Sequence, residues 1–209
     1  MKYIWINPVT ERMYETSELD AFLKCHEYER VGVSGDWINV VKQKYKEAVC
    51  QTERTVIDMR CPKIRDVVEE YSLDENVKAP DIHPILIHCA EEISEREDLR
   101  GQEKVIITPC QALADQGNAL GLKETTFMPW NSFMKSTGQF LQGKQQSASP
   151  IPPGFFEGTI EKTISITGEE EIREYFENFK PGEVQLVEML FCKDGCHNGD
   201  GVLMHWTND

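Results

Sequence analysis

The sequence predicts an α/β fold, with two small lobes of mostly parallel sheet flanked by helices. Three observations predict it. Short apolar or β-branched runs recur at 2–7, 55–59, 105–108, 125–128 and 184–191. Segments with apolar residues three and four apart stand between them. Strands that alternate with helices in this way pair in parallel.

The elements follow in chain order. KYIWIN, from Lys2 to Asn7, reads as a strand ended by Asn7-Pro8. A helix begins at Ser17 and places Leu19, Phe22 and Leu23 on one face. Trp37, Val40, Val41 and Tyr45 show helical spacing again, behind Asp36 as N-cap. TVIDM, from Thr55 to Met59, is a strand broken by Cys61-Pro62. Ile64, Val67, Val68 and Tyr71 mark the next helix; Ile85, Leu86, Cys89 and Ile93 mark another over 83–93. The charged stretch 94–103 is expected at the surface. Val105 to Thr108 is a strand ended by Pro109-Cys110, and Thr125 to Met128 is another, with Asn131 as cap of the helix after it. Residues 142–153, rich in Gln, Ser, Lys and Pro, read as a mobile loop. A helix over Glu169 to Phe179 and a strand over Val184 to Phe191 complete the chain. Residues 1–209 read as one domain on which 1–54 pack as an N-terminal segment.

The formal net charge of −14 argues against nucleic acid and against an anionic membrane surface as partners. No run approaches the roughly 18 apolar residues of a membrane span. The first residues lack a basic stretch followed by an apolar run. A cytoplasmic location is expected, where thiols stay reduced. Seven cysteines in that setting read as metal ligands, catalytic groups or core residues rather than disulfides.

Three strands run into cysteine: VIDMR into Cys61, VIITP into Cys110 and EMLF into Cys192. Ligands collect beyond the carboxyl ends of strands in open α/β sheets. Cys196 follows Cys192 by four residues, in a Gly- and Asn-rich tail whose backbone can approach inorganic sulfur and donate to it. Cys61, Cys110, Cys192 and Cys196 are therefore expected to hold one iron–sulfur cluster. Zinc is the competitor, since four thiolates satisfy it. Structural zinc, however, draws pairs from C-x-x-C knuckles, and three of these ligands end separate strands. Cys25, Cys50 and Cys89 sit in helical patterns among apolar neighbours and read as core residues. His197, beside Cys196, is placed to tune a cluster or else stands in solvent. His26, His83, His88 and His205 remain; His83 and His88, five apart, do not share a helical face.

The segments DMRCPKI (58–64), TPCQALADQ (108–116) and EMLFCKDGCHNGDG (188–201) resemble the cluster-binding motifs of the FeFe-hydrogenase catalytic domain. Those motifs read approximately TSCCPxW, PCxxKxxE and ExxxCxxGCxxGGG. The third match is the most specific, with Glu188, Cys192, Gly195, Cys196, Asn198, Gly199 and Gly201. Lys78-Ala79-Pro80 resembles the family's Ser-Pro segment, and Pro153-Gly154-Phe155 a Gly-containing segment of sensory relatives. The resemblance covers roughly Val56 to Val202. It implies that Cys61, Cys110, Cys192 and Cys196 ligate a 4Fe–4S cubane, with Cys196 as the thiolate that bridges to a diiron subsite in true hydrogenases.

Three departures fall on the diiron half. Arg60 stands where the family has a proton-relaying cysteine, Leu113 where a lysine holds a cyanide ligand, and Gln116 where a glutamate stands. The chain is also shorter than an active enzyme domain and has no CxxCxxC ferredoxin segment. The resemblance thus implies a 4Fe–4S-binding, hydrogenase-like protein in redox sensing or electron relay, with a redox or signalling protein partner and no hydrogenase activity. The alternatives are a divergent FeFe hydrogenase of low activity and a structural protein whose four cysteines hold zinc or nothing.

Overall fold

The computed structural model describes residues 2–71 and 75–203; His205 lies outside them. In chain order the elements are β1 (Lys2–Trp5), α1 (Pro8–Glu11), α2 (Thr16–Cys25), β2 (Tyr28–Arg30), α3 (Trp37–Cys50), β3 (Thr55–Ile57), α4 (Pro62–Tyr71), β4 (Val77–Lys78), α5 (Ile85–Glu95), β5 (Lys104–Thr108), α6 (Gln111–Ala119), β6 (Thr125–Pro129), α7 (Trp130–Thr137), β7 (Thr163–Thr167), α8 (Glu169–Glu177) and β8 (Leu186–Leu190). The strands form two four-stranded sheets in which every pairing is parallel. The fold is therefore α/β with two parallel sheets, as the alternation of patterns predicts. No helix among the described residues is long and apolar enough to cross a membrane. The chain divides into two compact units, one of Met1–Gly35, Cys89–Pro150 and Cys196–Asp209, the other of Asp36–His88 and Ile151–Gly195.

The first unit holds the sheet ordered β2-β1-β5-β6. The chain leaves β1 toward β2 and leaves β5 toward β6, so the connections part between β1 and β5. That is where ligands collect in open parallel sheets. Asn7 does more than end β1: its Oδ1 accepts from the amides of Val9 and Thr10, both at 3.0 Å, with Pro8 at the first helical position. Its Nδ2 donates to the Ile107 carbonyl at 3.1 Å and so ties the end of β1 to β5. Trp130 is fully buried, stacks on Phe133, and donates from Nε1 to the Tyr14 hydroxyl at 2.8 Å. Pro129, not Asn131, stands at the N-cap position of α7, in extended backbone and with no side-chain cap bond, because β6 runs directly into the helix. Asn131 instead holds the tail, donating from its backbone to the Gly201 carbonyl (2.9 Å) and from Nδ2 to the Asp200 carbonyl (2.7 Å).

The second unit holds the sheet ordered β4-β3-β8-β7. Alternate residues of β3 and β8 face opposite ways. Ile57, Val187 and Met189 pack with Ile64, Val67 and Val68 of α4 and with Ile172 and Phe176 of α8. Val56 and Leu186 pack with Val41 and Tyr45 of α3 and with Phe156. Helices thus cover both faces. Asp36 caps α3 as expected, accepting from the Asn39 amide at 3.2 Å. Of the three cysteines expected in the core only Cys89 is buried; Cys25 and Cys50 end α2 and α3 and are exposed.

Candidate functional site

Cys61 and Cys192 belong to the second unit and follow the neighbouring parallel strands β3 and β8. The Cys61 sulfur accepts from the backbone amides of Phe191, Lys63 and Ile64. Phe191 immediately precedes Cys192, so this bond joins the two cysteine turns. Burial raises the Cys61 thiol pKa, and the three amides oppose that shift. Amides aimed at sulfur are the usual surroundings of a cluster-ligating thiolate. After Cys192 the chain turns through Asp194 (φ 59°) and Gly195 (φ 114°). Gly195 donates to the Cys192 carbonyl at 3.1 Å, in a conformation that suits only glycine.

Cys110 and Cys196 belong to the first unit. Cys110 is the N-cap of α6, and the next amide, of Gln111, donates to Asp200 Oδ1 at 2.9 Å. Residues Cys196–Asn198 form a single 3-10 turn. The tail beyond it lies against the Pro109–Cys110 peptide. Gly201 donates to the Pro109 carbonyl at 3.0 Å. A Cβ on Gly201 would stand 2.9 Å from the Cys110 nitrogen, and one on Gly199 would collide with the Pro109 oxygen. Two of the predicted cysteines thus lie in each unit, Cys61 and Cys192 in the second and Cys110 and Cys196 in the first. All four residues are half-buried. Among the described residues, no three His, Cys, Asp or Glu side chains stand together around one metal-ion position.

Arg60 and Glu188 meet in a buried network of the second unit. Arg60 donates from Nε to both carboxylate oxygens of Asp58 (2.9 and 3.0 Å) and from Nη2 to Asp58 Oδ2 (2.6 Å) and Glu188 Oε1 (2.9 Å). The guanidinium lies 3.9 Å from the Phe155 ring centre. Glu188 Oε2 accepts from the amides of Gly154 (2.6 Å) and Phe155 (3.1 Å) and from Ser165 Oγ (2.6 Å). Side-chain exposures are 8 % for Arg60, 0 % for Asp58 and 1 % for Glu188. Burial works to discharge Arg60, but Asp58 foremost and then Glu188 raise its pKa above the ordinary value. Tyr45 accepts from the Met59 amide at 2.8 Å, and burial, with Asp58 beside it, pushes its phenol well above the usual range. Asp58, Ser165 and Tyr45 escape a reading of the sequence. The one signal is that Asp58 and Arg60 are two apart on extended chain and so share a side.

In the first unit, Leu113 is buried in α6, and one turn on, Gln116 Oε1 is buried without a hydrogen-bond partner. His197 is 7 % exposed with Nδ1 unpartnered, so it is not a solvent-facing loop histidine. Asn198 is half-buried in the same turn. In the second unit, the rings of His83 and His88 approach to 5.9 Å, because His83 precedes α5 and helical spacing does not govern it. His88 stacks on Trp37 and its Nε2 lies 3.3 Å from Lys44 Nζ.

No family model and no curated protein matches the chain. Solved structures do. Two variants of the FeFe-hydrogenase HydA1 from Chlamydomonas reinhardtii are each 11% identical to it, with TM-scores of 0.63 and 0.62. Each match covers 99% of this chain and 80% of the hydrogenase chain. The chain therefore has the fold of an FeFe hydrogenase.

Proposed function

We propose that the chain binds a 4Fe–4S cluster through Cys61, Cys110, Cys192 and Cys196 and serves in redox sensing or electron relay. The observation that carries this is the backbone seating of both pairs. The Phe191 amide meets the Cys61 sulfur, and Gly199 and Gly201 lay the Cys196 tail on the Pro109–Cys110 peptide. The hydrogenase fold supports the same reading. When bound, such a cluster supplies one-electron transfer. The donor set fits it: a cubane takes one thiolate at each of four irons. Zinc also takes four thiolates, but structural zinc draws them from C-x-x-C knuckles, and these four cysteines contain none.

Hydrogen chemistry is absent from this proposal because of Arg60 and Leu113. Arg60 holds its proton between two carboxylates and cannot pass it on. Leu113, buried and apolar, offers nothing to a polar ligand. A diiron subsite is not part of the reading. The acidic chain suits a basic redox or signalling protein of the cytoplasm as partner. The test is anaerobic reconstitution with iron and sulfide, followed by iron and sulfide analysis and EPR. Equal iron and sulfide with a reducible signal is expected; zinc alone would overturn the proposal.

A second reading, a divergent hydrogenase, is favoured by the fold shared with HydA1. Hydrogen evolution after loading the unsubstituted chain with a synthetic diiron cofactor would establish it in place of the first.

A further inference from the structure

A cavity of about 240 Å³ opens in the first unit between the α1 turn, the segment 142–146 and the tail that carries His197. The segment is strapped in place rather than draped over the surface. Lys144 donates from its backbone to the Met13 carbonyl at 2.8 Å, and Gln146 Nε2 donates to the Arg12 carbonyl at 2.5 Å. The Tyr14 hydroxyl donates to the Leu141 carbonyl at 3.3 Å. Gly143 passes so close to Tyr14 that a Cβ there would lie 2.8 Å from the ring. Tyr14 is itself held by the buried Trp130.

The lining has one chemistry. Gln142, Gln145 and Gln146 offer side-chain amides, Met13 and Val202 offer apolar surface, and His197 offers its ring. Among the described residues, none that lines the cavity carries a fixed charge. His197 is more than nine-tenths buried, yet its Nδ1 has no hydrogen-bond partner. Buried polar atoms are seldom left so in native structures without a ligand, ion or water to meet them.

We propose that this cavity binds a small uncharged molecule with an apolar body and an amide- or alcohol-like head that hydrogen-bonds to His197. An amide head can donate to the ring nitrogen or accept from it, whichever tautomer is present. A charged head would lose its hydration without meeting an opposite charge. The site lies within one unit and does not depend on the cluster reading. His197 directly follows Cys196 in one 3-10 turn, so the site adjoins a cysteine turn.

The test titrates the nitrogen-15-labelled full chain with benzamide, hexanamide and phenol, against benzoate and benzylammonium. Saturable shifts are expected in the side-chain amide signals of Gln142, Gln145 and Gln146 and in the backbone amide of His197, with the charged analogues at least tenfold weaker. His197→Phe is expected to weaken binding at least tenfold. Should that variant not fold, the location of the shifts and the charge selectivity in the unsubstituted chain decide. Failure of all three neutral probes to saturate these signals overturns the proposal, as does equal binding by a charged analogue. Either result leaves the cluster reading to its own reconstitution test.

Discussion

Nη2 of Arg60 donates to Oε1 of Glu188 at 2.9 Å, joining residues 128 apart in the sequence. Through Glu188 the same bond reaches the amides of Gly154 and Phe155, and Phe155 in turn lies under the guanidinium. The turn before Cys61 and the segment that carries Phe155 are therefore one closed circuit of charge and ring.

Opening that circuit is expected to be costly. Arg60→Met leaves Asp58 and Glu188 buried without their cation, and removing one partner of a buried pair costs about 3–5 kcal/mol. Arg60→Lys keeps the charge but loses the two-pronged contact and the ring stack, and falls between. Urea denaturation measures both. A loss below about 1 kcal/mol for Arg60→Met would show that the network is not closed in solution.

Gly201→Ala is expected to unseat the tail. The new Cβ would stand 2.8 Å from Pro129 Cβ and 2.9 Å from the Cys110 nitrogen, and neither neighbour can swing away. Overpacking of this kind costs about 1–3 kcal/mol. Iron retained per chain after reconstitution should fall at least by half. Gly32→Ala is the control, because nothing lies within 4 Å of its Cβ position. Equal iron in the two variants would detach Gly201 from the site.

These elements are not equally legible in the sequence. The inner strands β3, β5 and β8 are buried throughout and mostly apolar, with Glu188 the exception inside β8, and α2 to α5 show clear helical spacing. β2 and β4, of three and two residues, are too short for any period to register. β7 is an edge strand whose TISIT side chains are all exposed or half-buried, so burial leaves little mark on it. α6 carries Gly117 at a position a propensity argument rejects. The glycine stands there because a Cβ would run into the Phe127 ring as α6 packs on β6. Of the site, the cysteines could be read because each ends a strand or a glycine turn. Asp58 and Ser165 could not, because their meaning lies in contacts with residues far along the chain.

Stability is expected to fall above about pH 9. Burial, with Glu92 second, pushes the Cys89 thiol from its ordinary value of 9.0 up to about 12. The unfolded chain therefore gives up this proton near pH 9 while the folded chain keeps it. A raised pKa contributes stability below the unfolded value and loses it as pH climbs through the gap. Tyr14, raised to about 12 by burial, adds to the slope from pH 10. Urea midpoints compared at pH 8 and pH 10.5 should drop less in Cys89→Ala than in the unsubstituted chain. Identical drops would remove Cys89 from the account.

The cysteine assignment makes the sharpest demand. Cys61, Cys110, Cys192 and Cys196 are partly exposed and sit in backbone turns, whereas Cys25 and Cys50 are exposed at helix ends with no such setting. Serine keeps the shape but is a hard oxygen ligand where iron–sulfur clusters take soft thiolates. Each of Cys61→Ser, Cys110→Ser, Cys192→Ser and Cys196→Ser is expected to lower bound iron by half or more and to weaken the EPR signal. Cys25→Ser and Cys50→Ser should leave both unchanged. The two pairs should also behave alike, because a cubane held by four thiolates has no spare member. Loss confined to Cys61 and Cys192, or to Cys110 and Cys196, would mean that one unit binds metal by itself, and the four-cysteine site would be wrong.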